Sequence, residues 1–429
     1  MTCGDDPHVP GRGARRASLH GSALILVVSM LATSCGASPQ TPVAPPTLWT
    51  PIALNPVVTA GTPRPPTSAA PAGTILPTLA PIAPITEADW ARGPAEAPIT
   101  LLVYSDYQCA TCAELAGVLL RLLALHPNDI RMVFRAFPLL TLYDKTSLAT
   151  QAAAAAAAQG DYWAMHDLLY ARRADWVTLT PEQFAAWLPG AARAAGLDAA
   201  QLADDLQTRR YEPYVAKAYN KAVASGIPGT PFLFFNRDLF LLPPTLGNLE
   251  ANVRLSLLAE HQFADYPPMT LKPGVDYAAR LRMNTGEVTL DLYEDTAPQA
   301  VNSFIFLAEN GWFDGTPFYR VVRGQYVEAG DPSGTGFGTP GYAYALETTP
   351  ARTFDRPGVV GIASDDPSAL GSRFFISLTP LPLFDTARTV LGQVTSGLDR
   401  LDALGAREPL TDLLLDPEAV ILDVIIEVR

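Results

Sequence analysis

Cysteine and histidine are scarce in this chain: 429 residues include 4 Cys and 5 His. A four-cysteine zinc site would need a second ligand pair beyond Cys109-Ala110-Thr111-Cys112, and none follows. Long apolar runs are also missing. The stretch from Ala23 to Met30 is too short to cross a bilayer as a permanent helix, and no other candidate exists. Positive charge is in deficit, with 30 basic against 43 acidic residues and a net charge of -13, which argues against a nucleic-acid partner. No internal repeat and no metal or nucleotide motif is visible, so no cofactor is expected.

What is present begins with a leader-like segment. Arg12, Arg15 and Arg16 precede the apolar run, and Ala32-Thr33-Ser34 precede Cys35. The layout resembles a bacterial lipoprotein signal, in which the cysteine is lipidated and becomes the first residue after cleavage. Ala32-x-Ser34 also fits an ordinary signal peptidase site. Residues 1–35 are thus expected to be a signal peptide. Residues 36–86, rich in Pro, Thr and Ala with Arg64 as the only clear cation, read as a disordered tether. The remaining length suits two domains, at 87–265 and 270–429.

In a mature chain the first domain would carry the only free thiol pair, Cys109 and Cys112. A cysteine at a helix start and another one turn later lie within disulfide range. The helix N-terminus favours a thiolate on the first, making Cys109 the attacking thiol and Cys112 the resolving one. Ile99 to Tyr104 reads as a buried strand and Ala113 to Leu125 as a helix, so the pair sits where strand gives way to helix. A static disulfide closing so short a loop would constrain an unfolded chain little. Ile130 to Arg135 reads as a further strand. A long helical region then runs to about Ala224, including the Ala152–Ala158 run, before Gly229-Thr230-Pro231 opens the strand Phe232 to Phe235. A proline opening that strand suggests a cis peptide. His126 and His166 sit in apolar helical contexts and receive no role.

These residues resemble the DsbA-like branch of the thioredoxin superfamily over about Ala97 to Asn236. The resemblance rests on the Tyr104-Ser105-Asp106-Tyr107-Gln108-Cys109 lead-in, Tyr162-Trp163 with His166-Asp167, and Gly229-Thr230-Pro231. It implies an α/β thioredoxin-like fold with a helical insertion. It also implies that Pro231 is a cis-proline against the thiols and that the Thr230 backbone pairs with substrate peptide. Ala110 and Thr111 place no ring or cation beside Cys109, which implies a milder oxidant than the strongest members of that branch.

The second domain begins near Val275 with a hairpin pattern through Leu292. Thr296-Ala297-Pro298-Gln299 has the spacing of a capping box ahead of a helix. Short strands broken by glycines follow, ending in Val420 to Val428, and suggest a closed barrel. Ala297-Pro298, Phe313-Asp314-Gly315, Phe318-Tyr319-Arg320-Val321-Val322, Gly330-Asp331, Gly361-Ile362-Ala363, Gly371 to Ile376 and Val390 to Val394 together resemble the cyclophilins. The implied fold is a mainly antiparallel β-barrel.

By that resemblance Arg320 is the catalytic arginine, and Phe375 and Ala363 line the proline pocket with Tyr326 and Phe384. Other positions depart from the family: Gln325 stands at an aromatic wall, Glu328 at the glutamine that orients the arginine, Ser364 at an asparagine, Arg373 at a glutamine, Leu383 at a tryptophan and Arg388 at a histidine. Glu328 could orient Arg320 through a bidentate pair or draw off its charge. The expected function is an extracytoplasmic folding factor that isomerises prolyl bonds and exchanges disulfides on secreted polypeptides. It would be anchored by lipid at the outer face of a bacterial membrane and served by a membrane redox partner. The alternatives are a non-catalytic peptide-binding chaperone, an oxidoreductase with an inactive barrel, and a reductant for a process such as cytochrome assembly.

Overall fold

A computed structural model describes residues 82–364 and 366–429. The expected leader, Cys35 and the tether up to residue 81 lie outside the described residues. Residues 82–86, expected to belong to the tether, are instead part of the folded body. Ile82 and Ile85 pack on a cluster containing Leu102, Val133 and Phe234. Arg135 fixes the same segment by donating to the carbonyls of Ala83 and Pro84 at 3.0 and 2.9 Å. Two isoleucines facing an apolar sheet surface lose more by staying in water than by ordering.

The first sheet comprises β1 (Trp90–Arg92), β2 (Ile99–Ser105), β3 (Ile130–Ala136), β4 (Phe232–Phe235) and β5 (Asp238–Leu239) in the order β1-β3-β2-β4-β5. β2 and β3 are parallel, with α1 (Ala110–Leu125) as their crossover, while β4 runs antiparallel to β2. In α1, Cys112, Leu115, Leu119 and Leu122 form the buried stripe. Between β3 and β4 lie α2 (Thr146–Ala158), α3 (Tyr162–Ala171), α4 (Arg173–Trp176), α5 (Pro181–Ala194), α6 (Ala199–Gln207) and α7 (Glu212–Ala224). The alanine run makes the centre of that layer: Ala149 and Ala152 to Ala156 are all buried, because methyl side chains let neighbouring helices approach closely. α8 (Leu246–Ala259) follows β5.

The second sheet is built from β6 (Tyr277–Met283), β7 (Gly286–Leu292), β8 (Thr316–Pro317), β9 (Arg320–Val322), β10 (Tyr326–Ala329), β11 (Val359–Ile362), β12 (Phe374–Ser377), β13 (Val390–Ser396) and β14 (Val420–Val428). Its order is β8-β14-β6-β7-β13-β11-β12-β10-β9, antiparallel throughout. The edge strands β8 and β9 are joined only by Phe318 and Tyr319, so the sheet curls until its two edges come side by side. α9 (Pro298–Glu309) packs Val301, Phe304 and Ile305 into the core, and α10 (Leu398–Asp402) follows β13. Leu258, Phe263, Tyr266 and Leu271 also pack on this core, so the segment spanning the expected 265/270 boundary belongs with the second sheet.

The expected capping box at Thr296 does not form. The N-cap of α9 is Ala297, and the Thr296 hydroxyl faces the Tyr293 carbonyl at 3.5 Å. Glu347 caps the helix from a distant loop, accepting from the N–H groups of Gln299 and Ala300 at 3.0 and 2.9 Å. A carboxylate at a helix N-terminus also meets the positive end of its dipole.

Candidate active sites

The last residue of β2 hands the chain to α1 through Asp106-Tyr107-Gln108, and Cys109 is the N-cap of the helix. Its Sγ accepts from the Cys112 N–H at 3.2 Å and lies 3.2 Å from the Thr111 hydroxyl. The Thr230–Pro231 peptide is cis, and the Thr230 carbonyl faces Cys109 Sγ at 3.8 Å. The start of α1 and the Thr230–Pro231 peptide, two separate stretches of chain, are therefore brought together. Both cysteines are buried and free. The hydrogen bond from the Cys112 side chain pulls the Cys109 thiol down from 9.0 to about 6, against the opposing effect of burial and with help from Thr111 and the Cys112 N–H. Burial pushes the Cys112 thiol up, and its hydrogen bond to Cys109 pushes it further. The two thiols are thus split into a nucleophile charged at neutral pH and a partner that keeps its proton.

Thr111 is the residue that sequence reasoning passed over here. The Ala110-Thr111 pair brings no ring or cation, but the hydroxyl at 3.2 Å supplies a donor to the thiolate. Its position inside the motif was the available signal.

The second constellation is assembled by strand pairing. Arg320 on β9 stands directly opposite Glu328 on β10, and Glu328 stands opposite Phe375 on β12. Arg320 Nη1 donates to Glu328 Oε2 at 2.8 Å, while the Tyr319 hydroxyl donates to Oε1 at 2.6 Å. The buried carboxylate therefore serves two donors, one on each oxygen, in place of a two-pronged grip on the arginine. Burial works against the Arg320 charge, yet Glu328 and its neighbours hold the guanidinium pKa above its ordinary value. Glu408 lies 3.7 Å from Arg320 Nε. Arg373, at the position of a family glutamine, donates to the Gly336 carbonyl at 2.6 Å and lies 3.8 Å from Glu328.

Beside this ion pair lies an apolar cluster holding Phe375, Ala363, Phe354, Val359, Leu381 and Val390, flanked by Tyr326 and Phe384. Phe375 meets Tyr326 and Phe384 edge-on, with centroids 5.9 and 5.3 Å apart, and stacks on Phe354 at 5.3 Å. Gly361 makes the stack possible, since a Cβ there would fall 2.5 Å from the Phe375 ring and 2.7 Å from Phe354. The structure thus gathers Arg320, Glu328, Tyr326, Ala363, Phe375 and Phe384. Gln325 is exposed and Leu383 is 72 % exposed, and neither belongs to the cluster, so the aromatic wall is supplied by Tyr326 one residue on. Ser364 is spent on its own turn, donating to the carbonyls of Asp366 and Ala369. Arg388 lies over the Phe384 ring at 5.6 Å. Phe354 and Tyr319 were not foreseen as site residues, because Phe354 arrives from a loop 21 positions before Phe375 with no local pattern to mark it.

A family model described as cyclophilin type peptidyl-prolyl cis-trans isomerase/CLD matches residues 278–425, and one described as thioredoxin matches residues 86–253. The chain is 33 % identical over 146 residues to the probable peptidyl-prolyl cis-trans isomerase A of Mycobacterium bovis, covering 30 % of this chain and 80 % of that protein. It is 33 % identical over 170 residues to peptidyl-prolyl cis-trans isomerase B of Streptomyces anulatus, covering 35 % of this chain and 97 % of the relative. With the Helicobacter pylori peptidyl-prolyl cis-trans isomerase it shares 36 % over 128 residues, 29 % of this chain and 78 % of that one. A solved cyclophilin-type isomerase from Cryptosporidium parvum aligns at 26 % identity and TM-score 0.33, over 35 % of this chain and 98 % of that one. With two active-site-like constellations on two matched regions, the chain belongs to the cyclophilin-type peptidyl-prolyl cis-trans isomerase family and carries a thioredoxin-like domain ahead of its cyclophilin domain.

Proposed function

We propose that this chain is an extracytoplasmic protein-folding enzyme that catalyses prolyl isomerisation at Arg320 and thiol-disulfide exchange at Cys109 and Cys112. The carrying observation is the coexistence of two prepared groups: a guanidinium fixed beside an apolar aromatic floor, and a thiol held at about 6 on a helix N-terminus. Uncatalysed isomerisation is slow because the imide C–N bond has partial double-bond character, with a barrier of roughly 18–20 kcal/mol. Phe375, Ala363, Tyr326 and Phe384 would bury the proline ring. Arg320 would donate to the imide nitrogen as the bond twists, favouring the twisted state over both planar ones. Glu328 keeps the guanidinium in place.

In the thioredoxin-like domain the Cys109 thiolate would attack a substrate disulfide, forming a mixed disulfide and releasing one substrate thiolate. Cys112 would then attack Cys109 Sγ, closing the protein disulfide and releasing the second. The reverse sequence oxidises a substrate dithiol, and partner potential sets the direction. The Thr230 backbone beside cis-Pro231 would align the substrate strand in the manner of the DsbA-like branch. Both reactions remove slow covalent steps in folding outside the cytoplasm, which supports a shared clientele of secreted polypeptides. The leader-like segment ending at Cys35 supports lipid anchoring at the outer face of the bacterial cell membrane, with a redox partner in the membrane. Among the described residues, no helix is long and apolar enough to cross a membrane.

The test is to measure the cis-to-trans relaxation of a proline peptide and the reduction of a model disulfide with the same preparation of full chain. Acceleration of both is expected. Failure of the first leaves an oxidoreductase with a peptide-binding barrel, and failure of the second leaves an isomerase alone.

A further inference from the structure

Exchange at a buried thiol pair poses a proton problem. Cys112 must lose its proton before it can attack the mixed disulfide, yet it is 1 % exposed and burial raises its pKa. The carboxylate that precedes the pair in the chain, Asp106, has both oxygens already committed. Oδ1 accepts from the Gln108 N–H at 2.7 Å, and Oδ2 accepts from the Leu139 N–H at 2.8 Å and the Thr146 hydroxyl at 2.6 Å.

On the other side of Cys112 a different route opens. Cys112 and Ser105 line the same cavity, and Ser105 Oγ lies 2.8 Å from the Tyr170 hydroxyl. Cys112, Ser105, Tyr170, His166 and Arg92 all border one cavity of about 10 Å³, room for a single water molecule. His166 sits one helical turn before Tyr170, with ring centroids 5.1 Å apart. It is 3 % exposed, and its Nε2 has no hydrogen-bond partner. Its Nδ1 faces Asp167 Oδ1 at 2.9 Å, with Arg92 Nη2 at 3.4 Å. Nδ1 thus lies between an acceptor and a donor, and the shorter contact, to the Asp167 carboxylate, assigns the proton to Nδ1 and leaves the lone pair on Nε2. Asp167 is in turn paired with Arg92, and its side chain is 36 % exposed, which gives the network an outlet to solvent.

We propose that His166 is the proton acceptor for Cys112, reached through Ser105 and Tyr170 across the small cavity. The inference rests on the thiol-disulfide exchange reading above. In the closing step the Cys112 S–H proton passes by way of Ser105 and Tyr170 to Nε2, the last hop crossing the cavity, which has room for one water molecule, because Nε2 has no direct hydrogen-bond partner. The thiolate electron pair forms the bond to Cys109 Sγ, and the bond from Cys109 to the substrate sulfur breaks. That sulfur leaves as a thiolate and takes a proton from solvent, while the imidazolium returns its own proton to solvent past Asp167. The cysteine pair is oxidised and the substrate disulfide reduced, and the reverse reaction uses the same chain to protonate the departing Cys112. The other titratable groups facing His166 are Tyr107, Tyr162 and Tyr170, whose burial holds them protonated, and the paired Arg92 and Asp167. Burial lowers the His166 pKa, so the imidazole is neutral and ready to accept at neutral pH.

The test follows the reduced full chain reacting with oxidised glutathione, with acid quenching and mass analysis to separate the glutathione adduct from the closed disulfide. In His166→Gln, adduct formation at Cys109 is expected at the wild-type rate. Closure should slow by about tenfold to a hundredfold and the adduct should accumulate. The wild-type closure rate should rise with pH and level off once His166 is neutral, whereas the variant rate should keep rising into alkaline pH with ionisation of the thiol itself. Unchanged closure in the variant, or equal slowing of both steps, overturns the proposal. Should His166→Gln fail to fold, Tyr170→Phe keeps the ring and cuts the chain. Slowed closure with a normal first step is again expected, and an unchanged closure rate overturns the relay. A wild-type chain that forms no adduct at all removes the exchange reading itself, an outcome distinct from a normal adduct with normal closure.

Discussion

The two constellations reach similar ends by opposite means. At the thiol pair the preparation is local: the Cys112 side chain and N–H and the neighbouring hydroxyl of Thr111 prepare Cys109 within a span of four residues. At the cyclophilin site almost nothing is local. Arg320, Glu328, Ala363 and Phe375 come from four strands or their ends, and the guanidinium is useful only because cross-strand register sets a carboxylate opposite it. A local site should tolerate distant damage and fail by small electrostatic steps, whereas an assembled site should fail when a single packing contact is lost.

The sharpest way to break that contrast is Phe354→Ala. Phe354 is fully buried and stacks on Phe375, so the substitution should cost about 3–5 kcal/mol through lost burial and the cavity left behind. Hydrogen exchange of the β11 and β12 amides should show the loss, with α1 and β2 unaffected. Equal loosening of both domains would contradict the separation of the two cores.

Next in size is Glu328→Ala, which frees Arg320 from its cross-strand partner and takes the acceptor from Tyr319. Misplacing one catalytic donor should slow prolyl isomerisation by about 10²-fold. Glu328→Gln keeps an acceptor for Arg320 and should stay within about tenfold of the wild-type rate, a difference below about 1.4 kcal/mol in barrier. A large gain in Glu328→Gln would instead mean that the carboxylate draws off the arginine's charge.

A smaller effect is expected at Cys109. Alkylation by iodoacetamide should titrate with a midpoint at about 6. In Thr111→Val the midpoint should rise by roughly one unit, the worth of one hydrogen bond to a charged group. The sign for stability follows from the lowered pKa. Thiolate stabilisation of the reduced fold is full above the ordinary value of 9.0 and is lost as pH falls through about 6, so the reduced form should weaken against denaturant over that window.

How much of this was legible in the sequence depends on the same contrast. The thiol pair, its strand and its helix are local patterns, and β2 and α1 lie where a short apolar run and helical spacing put them. The cyclophilin blocks marked Arg320, Glu328 and Phe375 with Tyr326 and Phe384 by resemblance, but not Tyr319 or Phe354. Tyr319 holds Glu328 across 9 positions, and Glu347 caps α9 across 47 and 48 positions. No window of sequence contains such pairs. The capping box expected at Thr296 failed for that reason, since a remote carboxylate took the N–H groups that a local hydroxyl would have served.

The smallest expected effect lies at His126, the C-cap of α1, which pairs with Glu250 at 2.8 Å. The hydrogen bond to Glu250 raises the His126 pKa against the effect of burial. Its stabilisation is therefore complete below the ordinary 6.5 and disappears as pH rises through the higher folded value. The loss should be below about 1 kcal/mol, given partial exposure, and smaller still in Glu250→Gln, where Asp129 at 3.5 Å is the remaining partner.

One chain would thus carry two independent catalysts, which is tested by assaying Arg320→Ala and Cys109→Ser, each for both prolyl isomerisation and disulfide exchange. Arg320→Ala should lose isomerisation and keep exchange, and Cys109→Ser should do the reverse. Either variant losing both activities while still folded, or isomerisation surviving in Arg320→Ala, would contradict this.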